Sequence, residues 1–194
     1  MEYEVEEESQ PKTKELADIS LLDDFAHLLD SSEDADVVFN VKGERIAAHK
    51  LILKARSPYF KAMFQSRMKE SLSQSVDIDD AEPNVFRGLL RFLYIGQPPV
   101  DLSAIAWDLL SLADKYGVEK LKLICESRLS DNLDDNNAID ALLVAERHKC
   151  VLLMERARCY VKDNFRSLRE NKENWAKLKD DSDLLLKLFE FACE

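Results

Sequence analysis

Residues 36–64 decide the fold of this chain, and their sequence is DVVFNVKGERIAAHKLILKARSPYFKAMF. The first part alternates apolar and polar residues, which is typical of a strand with one buried face. The apolar positions of that face are Val37, Phe39 and Val41. A polar turn at residues 42–44 leads into a second short stretch at residues 45–48, so the pattern predicts a β-hairpin.

The second part of this stretch predicts two short helices. His49 follows the hairpin and opens the first helix, and we interpret it as a hydrogen-bonded structural histidine rather than a catalytic base. Ser57 and Pro58 then restart the chain, because serine is a favoured N-cap and proline is well suited to the first helical position. The second helix carries Tyr59, Phe60, Met63 and Phe64.

Two segments precede this stretch. Residues 1–14 contain a run of glutamates and no hydrophobic period, so we expect a disordered tail or the remnant of a linker. A functional acidic tail is the alternative. Residues 15–31 carry Leu21, Phe25 and Leu28 at the i, i+4, i+7 spacing that predicts an amphipathic helix.

The chain beyond the stretch is mostly helical in pattern. A short strand is expected around Val76 and Ile78. Helices are expected at residues 83–96, 102–116 and 118–129, and then at residues 137–147, 151–165 and 183–192. The last three come with no strand signal, so the pattern predicts an α+β domain followed by an all-helical extension.

Composition limits the kind of protein. The 194 residues carry a net charge of −11, and the sequence has no obvious basic cluster, so we expect neither nucleic acid nor a membrane as a partner. The acidic N-terminus does not resemble a secretory leader. The four cysteines lie far apart, as small buried thiols do, and we expect a reducing compartment, the nucleus or the cytoplasm.

No group of residues in the sequence predicts catalysis. The three histidines lack metal-ligand spacing, no CxxC pair occurs, and four glycines provide no phosphate-binding loop. Carboxylate pairs such as Asp79-Asp80 lie in turn contexts. We therefore expect no enzyme, with no catalytic, cofactor-binding or metal-binding residues and no cofactor.

Several short motifs in this chain resemble those of BTB/POZ domains. The matching positions are Asp36, Ala48-His49-Lys50, Leu53, Ala55, Ser57, Phe60, Met63-Phe64, Phe92-Leu93-Tyr94-Ile95-Gly96 and Leu112 to Tyr116. From about Leu16 onward, including residues 120–126 and the region of Trp175, the chain is also similar to speckle-type POZ (MATH-BTB) proteins. The substrate-binding MATH domain of those proteins is absent from it.

The resemblance implies an α+β fold of the BTB/POZ type, in which helical hairpins are capped by a short sheet. An all-helical extension, formed by a 3-box and part of a BACK region, is expected to follow. The expected boundaries are 1–14 for the tail, 15–132 for the BTB/POZ domain, 133–167 for the 3-box helical pair and 168–194 for the BACK-like helices.

The resemblance also implies docking to the N-terminal domain of cullin-3, the scaffold of a cullin-RING ubiquitin ligase. Family members that bind cullin-3 carry a hydrophobic-x-Glu motif before the short strand, and Met68 and Glu70 occupy those positions; an ordinary polar loop is the alternative. The 3-box candidate at residues 135–165 favours docking, although its apolar positions also fit simple self-packing. We assign Trp107, on a polar helix face, to the same surface as an exposed anchor, with packing against a neighbouring loop as the alternative.

The helix with Leu21, Phe25 and Leu28 is expected to form the interface of a homodimer, since in the family it packs against the same helix of a second subunit. Folding back on its own domain is the alternative. The expected function is that of a dimeric adaptor, which links a protein substrate to ubiquitination through a missing or separate recognition module. The alternative function is a BTB oligomerisation scaffold for transcriptional corepressors or other partners, without cullin binding.

Overall fold

A computed structural model describes residues 11–65, 74–180 and 184–188 of this chain. The chain divides into two compact units. The first unit comprises residues 1–83 and 90–97, and the second comprises residues 84–89 and 98–194. One helix, at residues 83–95, is therefore shared between them.

The first unit is built around a small sheet with helices. Its elements are α1 (Pro11–Ser31), β1 (Val37–Val41), β2 (Glu44–Ala48), α2 (Lys50–Arg56), α3 (Pro58–Gln65), β3 (Ser75–Ile78) and the end of α4 (Pro83–Ile95). The strand order is β2-β1-β3, with β1 antiparallel to β2 and parallel to β3. In this register Phe39 lies opposite Ile46 and Val76, so the apolar residues of all three strands share one face. The predicted hairpin is confirmed.

Helix α1 begins at Pro11, ahead of the start predicted at Glu15. The first helical turn thus takes in residues that the sequence assigned to the acidic tail. Proline is well suited to an early helical position because its φ angle already matches the helix and its missing N–H would be unpaired there. Residues 1–10, which make up the rest of the predicted tail, lie outside the described residues.

An aromatic cluster fills the core of the first unit. The rings of Phe39 and Phe60 are completely buried, with centroids 5.5 Å apart. Phe64 stacks on Phe60 at 5.9 Å. The hydroxyl of Ser57 accepts a hydrogen bond from the backbone N–H of Phe60 at 3.2 Å, as expected of an N-cap, and this fixes the start of α3 beneath the sheet. The hydrophobic face of β1 and the apolar face of α3 therefore form one core.

His49 is a structural residue at the junction of β2 and α2. Its backbone N–H donates to Tyr94 Oη at 2.8 Å, and its Nδ1 lies 2.7 Å from the same oxygen. Because the carbonyl of Glu33 only accepts hydrogen bonds, Nε2 donates to it at 2.7 Å and Nδ1 accepts from the Tyr94 hydroxyl. Burial raises the pKa of Tyr94 to about 12. All of the polar atoms of His49 thus have structural partners.

The second unit is helical throughout its described part. Its elements are the start of α4, α5 (Leu102–Lys115), α6 (Glu119–Ser130), α7 (Ala138–His148), α8 (Val151–Asp163), α9 (Phe165–Glu170) and α10 (Lys172–Asp180); residues 184–188 are also helical. The prediction of an all-helical extension is confirmed. The helix predicted over residues 151–165 ends at Asp163, because the Asn164 side chain hydrogen-bonds to the Tyr160 carbonyl at 3.0 Å and competes with the helical pattern.

The core of the second unit combines an aromatic pair with long apolar stripes. The rings of Phe86 and Tyr116 are both buried and lie 6.1 Å apart, edge to face. Cys125 and Cys150 are buried as expected, and burial raises the pKa of each thiol to about 12. Cys159, in contrast, is exposed on α8. The two buried thiols contribute as apolar side chains to the packing of α6 with α8.

Candidate interaction surfaces

The apolar face of α1 is incompletely covered by its own chain. Leu21 is 54% exposed, and Phe25 and Leu28 are half-buried. The core residues of the same unit, such as Phe39 and Leu53, are completely buried by comparison. The structure thus places all three predicted residues on α1 and leaves apolar area on each available for a partner.

Charged residues surround this apolar face. Asp23 and Asp24 are exposed next to Leu21. Asp30, near the end of α1, forms an exposed ion pair with Arg91 of α4 at 4.0 Å. Exposed ion pairs contribute little to stability, so the described part of this surface combines apolar side chains with solvated charged ones.

Met68 and Glu70 lie outside the described residues, between the end of α3 and the start of β3. Two large apolar side chains are exposed on the neighbouring helices of the first unit. Leu51 of α2 is 76% exposed, and Tyr59 of α3 is 38% exposed. No sequence pattern predicts that Leu51 is exposed, because a seven-residue helix is too short for a periodic pattern to separate its inner and outer faces.

Trp107 of α5 is half-buried rather than fully exposed. Its helix neighbours Asp108 and Lys115 are exposed, and Asp114 is partly covered. The polar surroundings predicted for Trp107 are therefore present, but its own chain covers part of the residue. An indole in this position has one part packed and another part accessible to a partner.

A charged network joins α5, α6 and α7 in the second unit, and sequence analysis did not anticipate it. Lys122 Nζ donates to Asp114 Oδ1 at 2.6 Å and to the His148 carbonyl at 2.5 Å. His148 Nδ1 lies 2.9 Å from Asp114 Oδ2, and its Nε2 lies 3.2 Å from Ser111 Oγ. Lys122 is only 8% exposed, whereas the Asp114 side chain is 34% exposed, so the network is shielded from water at the lysine and open to it at the carboxylate. The only signal in the sequence is that Lys122 lies beside the apolar stripe of α6.

The charges in this network stabilise each other. Burial disfavours the ionised form of Asp114, but hydrogen bonds from Lys122 and His148 outweigh it and hold the pKa of that carboxyl below its usual value. Burial likewise disfavours the ammonium of Lys122, and the hydrogen bond to Asp114 outweighs it and raises the pKa. The arrangement fixes three helices and has no group placed for chemistry on a substrate.

The described residues contain no group of three or more His, Cys, Asp or Glu side chains arranged to hold a metal ion. Over the same part of the chain, no helix combines the length and apolar character needed to cross a bilayer. The described surface does offer exposed apolar side chains, among them Leu21, Leu51 and Tyr59 of the first unit.

Together, the small mixed sheet, the helical hairpins and these apolar surfaces define a protein-interaction module. The model of the BTB/POZ domain family matches residues 25–133, and the chain belongs to that family. Among curated proteins it is similar to TD and POZ domain-containing protein 5 of Mus musculus, with 42% identity over 130 residues. That match covers 66% of this chain and 38% of the mouse protein.

The solved structures include a similar fold, described as the BTB domain of zebrafish PATZ1. The two chains share 25% sequence identity with a TM-score of 0.50, and the match covers 68% of this chain and 99% of that domain. BTB domains mediate homo-oligomerisation and partner binding and are typically not enzymes. Membership in the family therefore implies dimerisation and protein–protein interaction, and it confirms the predicted α+β fold.

Proposed function

We propose that this chain is a dimeric substrate-adaptor module that docks the N-terminal domain of cullin-3 and so links a substrate to a cullin-RING ubiquitin ligase. Family membership and the half-covered apolar face of α1 support the dimer. The position of Met68 and Glu70 between α3 and β3 supports docking of the scaffold. The protein substrate is held by a separate recognition module, and the complex acts in the nucleus or the cytoplasm.

The dimer interface is proposed to bury the face of α1 against its copy around a two-fold axis. Phe25 and Leu28, already half-buried, lose their remaining exposure, and Leu21 provides most of the newly covered area. Burial of each such side chain is worth roughly 1.5 to 3 kcal/mol when it is complete. Partial cover by the parent domain orients the side chains, so less conformational entropy is lost on association.

The cullin surface is proposed to combine a hydrophobic anchor with a hydrogen-bonding carboxylate. Met68 fills an apolar pocket on the scaffold, and Glu70 accepts hydrogen bonds that fix the segment. The exposed side chains of Leu51 and Tyr59, on the helices that precede this segment, are available to extend the apolar contact. Trp107 is proposed to contribute through the accessible part of its ring.

The α7–α8 pair supports the same function. These two helices pack on each other, and α8 also packs on α6, so the pair forms a fixed extension of the second unit. They occupy the part of the chain for which the resemblance implies a 3-box. A scaffold that contacts both the domain and such an extension buries a larger area of this chain. No additional segment of the chain has to become ordered on binding.

The test is titration calorimetry of the dimeric protein with the cullin-3 N-terminal domain. Met68→Asp combined with Glu70→Lys should abolish detectable binding, because the loss of a buried anchor and its neighbouring hydrogen bonds costs about 3 kcal/mol or more. Asp79→Asn, in the loop after β3, is the matched control and should bind like the parent. If the double variant keeps its affinity, cullin docking at this segment is wrong, and the oligomerisation function implied by the family remains.

A further inference from the structure

A groove in the second unit lies beside the short helix α9. It has a volume of about 440 Å³ and is lined by Phe165, Arg166, Arg169 and Glu170 of α9. Phe165 is 39% exposed, and its ring packs edge to face on that of Trp175 with centroids 5.1 Å apart. The groove therefore combines an accessible aromatic surface with two guanidinium groups.

Helix α9, which lines this groove, and its neighbour α10 are anchored within their unit. Leu168, on the opposite side of α9, is completely buried, and the Ser167 hydroxyl donates to the Asp135 carboxylate. Lys177 Nζ of α10 donates to Asp140 of α7 at 2.8 Å. Because α9 and its neighbour are held by contacts outside the groove, a ligand would meet a lining helix that is already ordered.

The arginines of the groove carry unneutralised charge. Both Arg166 and Arg169 are exposed, and neither is paired with a carboxylate within the part of the chain that the structure describes. Residues 155–179 contain eight Lys and Arg against four Asp and Glu, a net charge of +4 in a chain whose total is −11. This locally basic segment is not obvious in the sequence because its positive residues are spaced among polar and apolar ones.

We propose that this groove binds an acidic peptide segment of a partner protein that also carries an aromatic or large apolar side chain. The guanidinium groups of Arg166 and Arg169 bind carboxylates of the peptide, a pairing for which their planar fork of donors is well suited. The apolar side chain packs on the exposed ring surface of Phe165. Glu170 lines the same groove and repels part of the peptide, which sets the position of its acidic residues.

The charge distribution favours a peptide over a nucleic acid. A phosphate backbone is bound through many cations along an extended track, and its affinity depends on how many phosphates are neutralised. This groove offers two arginines and one carboxylate, on a molecule with a net charge of −11. A short segment with two or three carboxylates matches that number of charges.

Fluorescence anisotropy with the complete chain tests the proposal. The probe is a fluorescein-labelled peptide, Gly-Glu-Glu-Phe-Glu-Glu-Gly, compared with versions that replace either every Glu by Gln or the Phe by Ala. The parent protein should bind the first peptide at least tenfold more tightly than the Gln version. The loss of the Phe should weaken binding several-fold, as removal of an anchor does.

Variants locate the site. Arg166→Gln with Arg169→Gln should weaken binding roughly tenfold or more, whereas Arg156→Gln, an exposed arginine of α8 outside the groove, should change it less than twofold. Glu170→Gln should strengthen binding, because it removes the repulsive charge. Circular dichroism melting curves show whether each variant keeps the parent fold.

Three outcomes overturn the proposal. The first is no saturable binding of the Phe-containing acidic peptide at millimolar concentration. The second is equal binding by the parent and the double arginine variant. The third is tighter binding of a labelled single-stranded RNA oligonucleotide than of the peptide, which would make the groove a nucleic-acid site. None of these outcomes bears on cullin-3 docking, which is measured with a different ligand and different variants.

Discussion

Asp114 connects three helices at the level of single side chains. Its carboxylate accepts from Lys122 of α6 and contacts His148 of α7, while Asp114 itself belongs to α5. A buried ammonium without a partner is costly, so the loss of this carboxylate affects Lys122 as well as Asp114. Asp114 is therefore expected to contribute more to stability than a partly exposed carboxylate ordinarily does.

Asp114→Asn should lower the free energy of unfolding by about 2 kcal/mol, since it leaves Lys122 with a weaker, neutral partner. For a chain of this size that corresponds to a fall of roughly 4 to 8 °C in melting temperature, measurable by calorimetry. Asp108→Asn changes the same charge at an exposed position of the same helix and should shift the melting temperature by less than 2 °C or so. Equal effects of the two substitutions would contradict a special role for Asp114.

The contribution of this network should also depend on pH at both ends of the scale. The pKa of Asp114 is lowered from its usual 3.8, so its contribution is present above that value and is lost as the pH falls through the lower, folded-state pKa. The pKa of Lys122 is raised from its usual 10.5, so its contribution is complete below that value and is lost as the pH rises through the higher one. The difference in stability between the parent and Asp114→Asn should thus be constant at neutral pH and shrink in strong acid and strong alkali.

Trp107 can be tested by separating stability from binding. Because the ring is half-buried, Trp107→Ala should cost about 1 to 2 kcal/mol of stability, less than the 3 to 5 kcal/mol typical of a fully buried tryptophan. The same variant should bind the cullin-3 domain more weakly when both proteins are fully folded at the temperature of the titration. Unchanged affinity together with a lower melting temperature would make Trp107 a packing residue only.

Among the elements, α1 has a face that its own chain covers only in part. An aspartate introduced at an interface must give up its hydration without a partner, which costs several kcal/mol when burial is complete. Leu21→Asp with Leu28→Asp should therefore give a folded monomer at micromolar concentration. Light scattering measures the mass, and circular dichroism checks the fold.

Leu51→Asp is the matched control. It also replaces an exposed leucine, in this case on α2, with an aspartate, and it should leave the dimer intact. A double α1 variant that remains dimeric would show that the interface lies elsewhere. A double variant that unfolds would favour the alternative in which α1 mainly covers its own domain.

The elements themselves were largely predictable from the sequence, since they depend on local signals. The alternation in residues 37–41 and the Ser57-Pro58 restart both correspond to observed boundaries. Gly96 ends α4 in a left-handed conformation (φ 73°), where glycine is favoured. The end of α8 at Asp163 was missed because it depends on the side chain of Asn164, which lies within an otherwise helical pattern.

The candidate surfaces were predictable only where a periodic sequence pattern defines the exposed apolar face. The face of α1 follows from its i, i+4, i+7 spacing, whereas exposure of Leu51 does not follow from a seven-residue helix of about two turns. The partners of Lys122 lie 8 and 26 positions away in sequence, and no local rule pairs them. The contact between the rings of Phe165, which lines the groove at α9, and Trp175 is decided by tertiary packing.

Across the whole molecule, charge opposes self-association. The net charge of each chain is −11, so two chains that form a dimer repel each other at low ionic strength. The proposed interface carries Leu21, Phe25 and Leu28, and among the α1 side chains that the structure describes, the aspartates at positions 23 and 24 are exposed close to Leu21 in sequence. The dimer should therefore gain affinity as salt screens the repulsion, which is the opposite of an interface held by ion pairs.

Analytical ultracentrifugation at several salt concentrations measures this effect. Between 0.1 M and 1 M sodium chloride the screening length falls from about 10 Å to about 3 Å, and the dimer dissociation constant should fall several-fold. Asp23→Asn with Asp24→Asn removes charge from the border of the interface, so this variant should dimerise more tightly at 0.1 M and respond less to added salt. If salt instead weakens the parent dimer, ion pairs rather than Leu21, Phe25 and Leu28 hold the two chains together, and the apolar interface on α1 is wrong.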